Sequence, residues 1–153
     1  MAIRRVGIFF IGLSLAAATA IGPMTTVAAA ATSPVKIVKV QYDSAGKDTR
    51  TNASLNAEYV VIKNISPTAQ ALTGWTLRDA QNHVFTFPTF RLAAGKSVTV
   101  HTGRGAPSAT DRFYNSGFYI WNNNRDTATL RTARGSAVAS CSWTATGAGA
   151  THC

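Results

Sequence analysis

The sequence has 153 residues, with 15 Lys and Arg against 6 Asp and Glu, a formal charge of +9 and only two cysteines. That length suits one domain of ordinary size and fits two badly. Glu58 is the single glutamate, the histidines (His83, His101, His152) lie far apart, and no Gly-x-Ser-x-Gly or His-Glu-x-x-His pattern occurs, which argues against the common serine-hydrolase and zinc-protease chemistries.

Residues 1–31 carry the pattern of a secretory signal peptide. Arg4 and Arg5 give a basic start, Val6 to Ala20 is apolar and uncharged, and Ala28 to Ala31 offers small residues for cleavage, expected after Ala30 or Ala31. A retained anchor is the alternative, but the apolar run is shorter than the roughly 20 residues a spanning helix needs. No other stretch of the chain could span a bilayer, so the mature chain is expected to have no transmembrane segment. Export implies an oxidising compartment, where Cys141 and Cys153 become the natural disulfide pair. Two free thiols are the alternative; a metal site falls short, because two cysteines and His152 are fewer than the usual four ligands. Without Arg4 and Arg5 the mature chain keeps 13 basic and 6 acidic side chains, a formal charge of +7.

Val35 to Tyr42 reads as the first strand, and its lysines suggest a sheet edge, where charge discourages pairing with another chain. Asp43 to Asn52 is a polar loop. Its aspartates lack the spacing of a calcium loop, so a turn with side-chain caps is expected. Tyr59 to Ile62 is a branched, aromatic strand with Val60 and Ile62 as its inward pair; Asn64 breaks it, and Ile65 to Thr68 forms a hairpin-like loop around Pro67. From Leu72 to Asp79 period-2 alternation puts Trp75 and Leu77 on the buried face and Thr76 and Arg78 on the other.

Further strands are expected at His83 to Phe87, at Lys96 to Thr102 with Val98 and Val100 inward, at Thr127 to Arg131, and at Ala137 to Trp143. Gly103 to Asp111 is a surface loop without phosphate-binding spacing. Phe113, Tyr114, Phe118, Tyr119 and Trp121 crowd together, read mainly as core and edge packing, with an exposed recognition patch as the alternative. The glycine-rich tail 144–153 is expected to be held back by the disulfide. Eight or nine short strands and no convincing helix point to an all-β, two-sheet sandwich.

The ordered set Glu58-Tyr-Val-Val-Ile-Lys-Asn64, Leu72-Thr-Gly-Trp-Thr-Leu-Arg-Asp79, Phe87-Pro88, Val98-Thr-Val-His-Thr-Gly103, Trp121-Asn-Asn123 and Asp126-Thr-Ala-Thr-Leu130 resembles the lamin-tail domain. That immunoglobulin-like module of nuclear lamins also occurs in secreted bacterial proteins. The resemblance covers nearly all of the chain after residue 34. It implies an immunoglobulin-like β-sandwich over 35–143, with Val60, Ile62, Trp75, Leu77, Trp121 and Leu130 as motif and core positions. It also implies a non-enzymatic binding or structural role, since such domains serve as protein-interaction and sometimes DNA-contacting units.

The expected partner is a protein or an anionic polymer, met by a monomer that carries no cofactor and no metal. For a polyanion, the candidate contacts are Lys36, Lys39, Arg104, Arg112, Arg125, Arg131 and Arg134. They are dispersed, without the runs or aromatic motifs of a sequence-specific nucleic-acid reader. A small exported hydrolase is the weaker alternative. Ser108, His101 and Asp111 are its least implausible catalytic set, although no catalytic residue is expected.

Overall fold

Among the described residues the chain forms eleven strands, nine of them in two antiparallel-dominated sheets that enclose the apolar core. The structure, a computed structural model, describes residues 33–144, 147 and 149–153. The signal-peptide expectation falls on residues outside that set. Strands β1 (Val35–Gln41), β2 (Tyr59–Asn64), β3 (Gln70–Ala71), β4 (Thr76–Arg78), β5 (Val84–Thr86), β6 (Arg91–Leu92), β7 (Ser97–His101), β8 (Asp111–Phe113), β9 (Arg125–Arg131), β10 (Ala137–Thr144) and β11 (Ala150–His152) follow in order. One sheet runs β11-β1-β2-β7-β8, the other β10-β9-β4-β5, and β3 with β6 forms a separate two-stranded ladder. This is the two-sheet sandwich that the strand pattern implied, and the immunoglobulin-like one that the family resemblance implied.

The core lies between the sheets. Val35, Ile37, Val40, Val60, Ile62, Val98 and Val100 face Leu77, Phe85, Ala128, Leu130, Cys141 and Trp143. In β1 a register shift between Ile37 and Lys39 inserts one residue, so that Ile37 and Val40 both point inward despite their odd spacing. Trp121 is 1 % exposed and packs edge-on to Trp143 at 6.1 Å between ring centroids. No helix among the described residues is long and apolar enough to cross a membrane.

Five details depart from the sequence reading. Trp75 is only half-buried, against the margin of the core, because Gly74 turns the chain at φ +75° and the strand starts at Thr76. The alternation therefore begins one residue too late to carry Trp75 inward. β1 is not an edge, since β11 covers its free side. Ala150–His152 of the tail are accordingly a strand of the sheet. Asn64 ends β2 without leading into a hairpin, because the next main-sheet strand, β4, pairs with β5 and β9 in the opposite sheet. Finally, part of the polar loop forms a helix, α1 (Asn52–Asn56), started by the Thr51 side chain, which accepts from Ser54 N, and anchored by buried Leu55.

Candidate interaction surface

The sandwich distributes its charges unevenly, and the acidic residues go inside. Asp126 is 5 % exposed and accepts hydrogen bonds from the backbone N–H groups of Ala80, Asn122 and Thr127 at 3.0, 3.0 and 2.7 Å. Buried Asp79 bonds His83 through both its backbone N–H and its ring at 2.6 Å. Glu58 is 1 % exposed, and its Oε1 accepts from Thr102 Oγ1 at 2.6 Å and from Ile120 N at 2.8 Å. Burial outweighs those bonds and raises its pKa to about 7. Each carboxylate binds backbone or hydroxyl donors where the chain turns, so half of the acidic side chains serve the fold.

The cations go outside. Of the thirteen Lys and Arg beyond residue 32, Arg112 alone is buried, and among the described residues none lies within ion-pair distance of a carboxylate. Arg112 corrects the polyanion list: its guanidinium sits 4.0 Å from the Phe90 ring centroid and donates to the carbonyls of Ser108 and Asp111. It is a packing element, because strand β8 points it inward.

The remaining candidates divide by chemistry. Lysines lie on the five-stranded sheet, where Lys36 and Lys63 are direct cross-strand neighbours and Lys39 Nζ donates to the Tyr59 hydroxyl at 2.9 Å. Arginines lie on the four-stranded sheet: Arg125 and Arg131 on β9, Arg78 on β4, and Arg134 in the β9–β10 turn. Arg78 and Lys63 were legible from alternation as outward residues, although neither stood among the expected contacts.

Arg104 belongs to a third place. Its backbone is gripped by Asn52 and Asn56, whose side-chain amides donate to its carbonyl at 2.9 Å each, while its own N–H donates to Asn52 Oδ1 at 2.7 Å. Arg104 and Arg50 line a cleft of about 370 Å³ with Asn52, Leu55, Ser116 and Gly117. Arg50 also lies 5.5 Å from the ring of Phe118, which is 65 % exposed. Arg50 gave no sequence signal, because it sits at φ +54° in a loop whose path only the fold reveals. Phe118 departs from the packing role read for its aromatic cluster, whereas Trp121 holds it.

Ser108, Asp111 and His101 do come together, in the wrong order for a nucleophile. Asp111 sits between the other two, bonding His101 Nε2 at 2.9 Å and Ser108 Oγ at 3.0 Å. His101 Nδ1 faces the carbonyl of Asn56 at 2.9 Å, so neither ring nitrogen reaches the serine to take its proton. Thr110 and then His101 hold the Asp111 carboxyl below its ordinary pKa. The cluster fastens the β7–β8 connection to α1.

The Lamin Tail Domain family model matches residues 28–145, spanning the sandwich from β1 through β10. The chain belongs to the lamin tail domain family. Lamin tail domains are an immunoglobulin-like, non-catalytic family, and the two sheets of this chain match that fold. A comparison with curated proteins finds none that matches. In this lamin tail domain, Val60, Ile62, Leu77, Trp121 and Leu130 are all fully or almost fully buried, and Trp75 flanks them.

Proposed function

We propose that this lamin tail domain is an exported, non-enzymatic module that binds anionic polymers through its cationic surface. The supporting observation is the segregation of charge. Among the described residues twelve cations reach the surface without carboxylate partners, while Glu58, Asp79 and Asp126 are buried, so the surface is more positive than the +7 of the mature chain suggests. Such a surface raises the local concentration of polyanions and gains affinity by releasing their counterions. Export fits the basic, apolar and small-residue order of residues 1–31 and the Cys141–Cys153 disulfide, which an oxidising bacterial envelope or medium would preserve.

Retention of the mature chain on heparin, duplex DNA and isolated envelope polymer, each across a salt series, tests this reading. Salt-sensitive retention is expected, reduced when Lys36, Lys63, Arg104 and Arg125 are changed to Gln. Weak retention that is equal on all three supports and insensitive to those substitutions sinks it and redirects the search to a protein partner. Mass measurement of the secreted chain, expected to begin after Ala30 or Ala31, tests export separately.

A further inference from the structure

The outward face of the four-stranded sheet combines arginines with rows of hydroxyl groups. Along β9, Arg125, Thr127, Thr129 and Arg131 point away from the buried Asp126, Ala128 and Leu130. Across the ladders Ser142 stands beside Thr127, Ser140 beside Thr129, Thr129 beside Arg78, and Thr76 beside Arg131. Thr127 and Ser142 share a hydrogen bond of 2.8 Å. The two guanidinium groups with internal partners are held by neutral acceptors: Arg78 Nη1 donates to Asn82 Oδ1 at 3.0 Å and its Nη2 to Thr76 Oγ1 at 3.4 Å, and Arg131 Nη1 donates to Gly135 O at 2.9 Å, while the Nε atoms of both are buried and Arg125 is exposed. The charge of Arg78 and Arg131 is therefore oriented without being neutralised.

We infer that this face is the docking surface for an acidic polysaccharide, laid along β9 and across its neighbours β10 and β4. The inference rests on the polyanion reading and names the face and the polymer class. Arginine forks pair with carboxylate or sulfate through two parallel hydrogen bonds, which a lysine point charge does not reproduce. Serine and threonine hydroxyls both donate and accept, matching the hydroxyls of sugar rings. Arg125 and Arg131 are six residues apart on one strand, about 20 Å at the usual strand rise, a span of several sugar units.

Nucleic acid fits the same face less well. Single strands are held by aromatic platforms on which bases stack, and Val84, 41 % exposed, is the only large apolar side chain exposed on these strands. Duplex recognition uses a helix or ribbon that enters a groove, whereas this face presents the outward side of four strands with no projecting helix. The face also carries no outward carboxylate to repel an acidic chain.

The test keeps net charge constant. Binding of heparin, polygalacturonate, oligo-dT and duplex DNA is measured by calorimetry at one salt concentration for the wild type, for Arg78→Lys/Arg125→Lys/Arg131→Lys and for the single variant Arg125→Lys. A variant of the opposite face, Lys36→Gln/Lys63→Gln, serves as the comparison, and thermal unfolding verifies the fold of each. The Arg→Lys triple variant is expected to weaken polysaccharide binding tenfold or more, the Arg125→Lys variant severalfold, and the Lys→Gln pair less than the triple variant despite its loss of charge. Among the described residues the Arg125 side chain makes no hydrogen bond, so its substitution reads binding even if the triple variant unfolds. Wild-type binding left unchanged by Arg→Lys overturns the face assignment while the polyanion reading stands. Tighter binding of either DNA, lost in the same variants, overturns the polysaccharide assignment. Failure of every polyanion to bind the wild type overturns the function itself.

Discussion

Cys141 on β10 and Cys153 just beyond β11 join the two sheets, with their Cα atoms 5.8 Å apart. The bridge does more than close a tail. β11 is a three-residue strand paired with β1 through Lys39, Val40 and Gln41, and the disulfide fixes the end of that strand to the opposite sheet. Cys141→Ala/Cys153→Ala, or reduction of the wild type, is expected to lower stability by about 3 kcal/mol, the chain-entropy figure for a loop of this size. Denaturant unfolding with and without reductant checks it. Equal midpoints would mean that β11 holds its place by pairing alone.

Asn64 is a second fastening. Fully buried at the end of β2, its Nδ2 donates to the carbonyls of Thr68, Leu92 and Ala93 at 2.7, 3.0 and 3.2 Å, and its Oδ1 accepts from Ser66 N and Oγ at 3.0 and 2.8 Å. Asn64→Ala strands these buried groups and is expected to cost about 2–4 kcal/mol. Asn64→Asp should cost more, because it replaces the donor with an acceptor facing three carbonyls. Chemical denaturation of both variants ranks them, and an aspartate variant as stable as the alanine one would contradict this account.

Arg112 is expected to matter for stability and little for polyanion binding. Its guanidinium lies over Phe90 and its hydrogen bonds close the end of the β7–β8 connection. Arg112→Ala removes that stacking and leaves space under the ring, with an expected loss of about 1–3 kcal/mol. Affinity for heparin, compared at a temperature where the variant stays folded, should change less than in Arg125→Gln. A larger binding loss in Arg112→Ala would return this residue to the contact surface.

These residues mark how far the sequence could be read. Period-2 alternation was enough to orient Leu77, Val98 and Val100, since strand geometry sends alternate side chains to one face; Val60 and Ile62 needed the outward Lys63 to choose between faces, and Leu130 came from the family resemblance. Alternation misplaced Trp75, where a positive-φ glycine interrupts the strand, and it missed the bulge that turns Val40 inward. The edge position of β1 depended on β11, a pairing between residues more than a hundred positions apart. The charged faces were less legible still. A count of lysines and arginines gives net charge, but the separation of arginines from lysines follows from which sheet each strand joins. The inward turn of Arg112 and the closeness of Arg50 to Phe118 likewise appear only after folding.

The buried glutamate gives stability an unusual pH dependence. Glu58 titrates at about 7 in the folded chain against an ordinary value of 4.5, because burial disfavours its charged form more strongly than Thr102 and the Ile120 amide favour it. Between those values the folded state binds more protons than the unfolded one, so stability falls as pH rises. The contribution is fully present below pH 4.5 and is lost as pH passes through 7. Across that window it amounts to about 3 kcal/mol, from 1.36 kcal/mol per decade of proton concentration. Glu58→Gln keeps an oxygen that can accept from Thr102 and Ile120 but has no proton to lose. Its stability should therefore vary less between pH 4.5 and 8, and urea unfolding of both proteins across that range measures the difference. Parallel curves for wild type and variant would show that Glu58 stays charged in the fold.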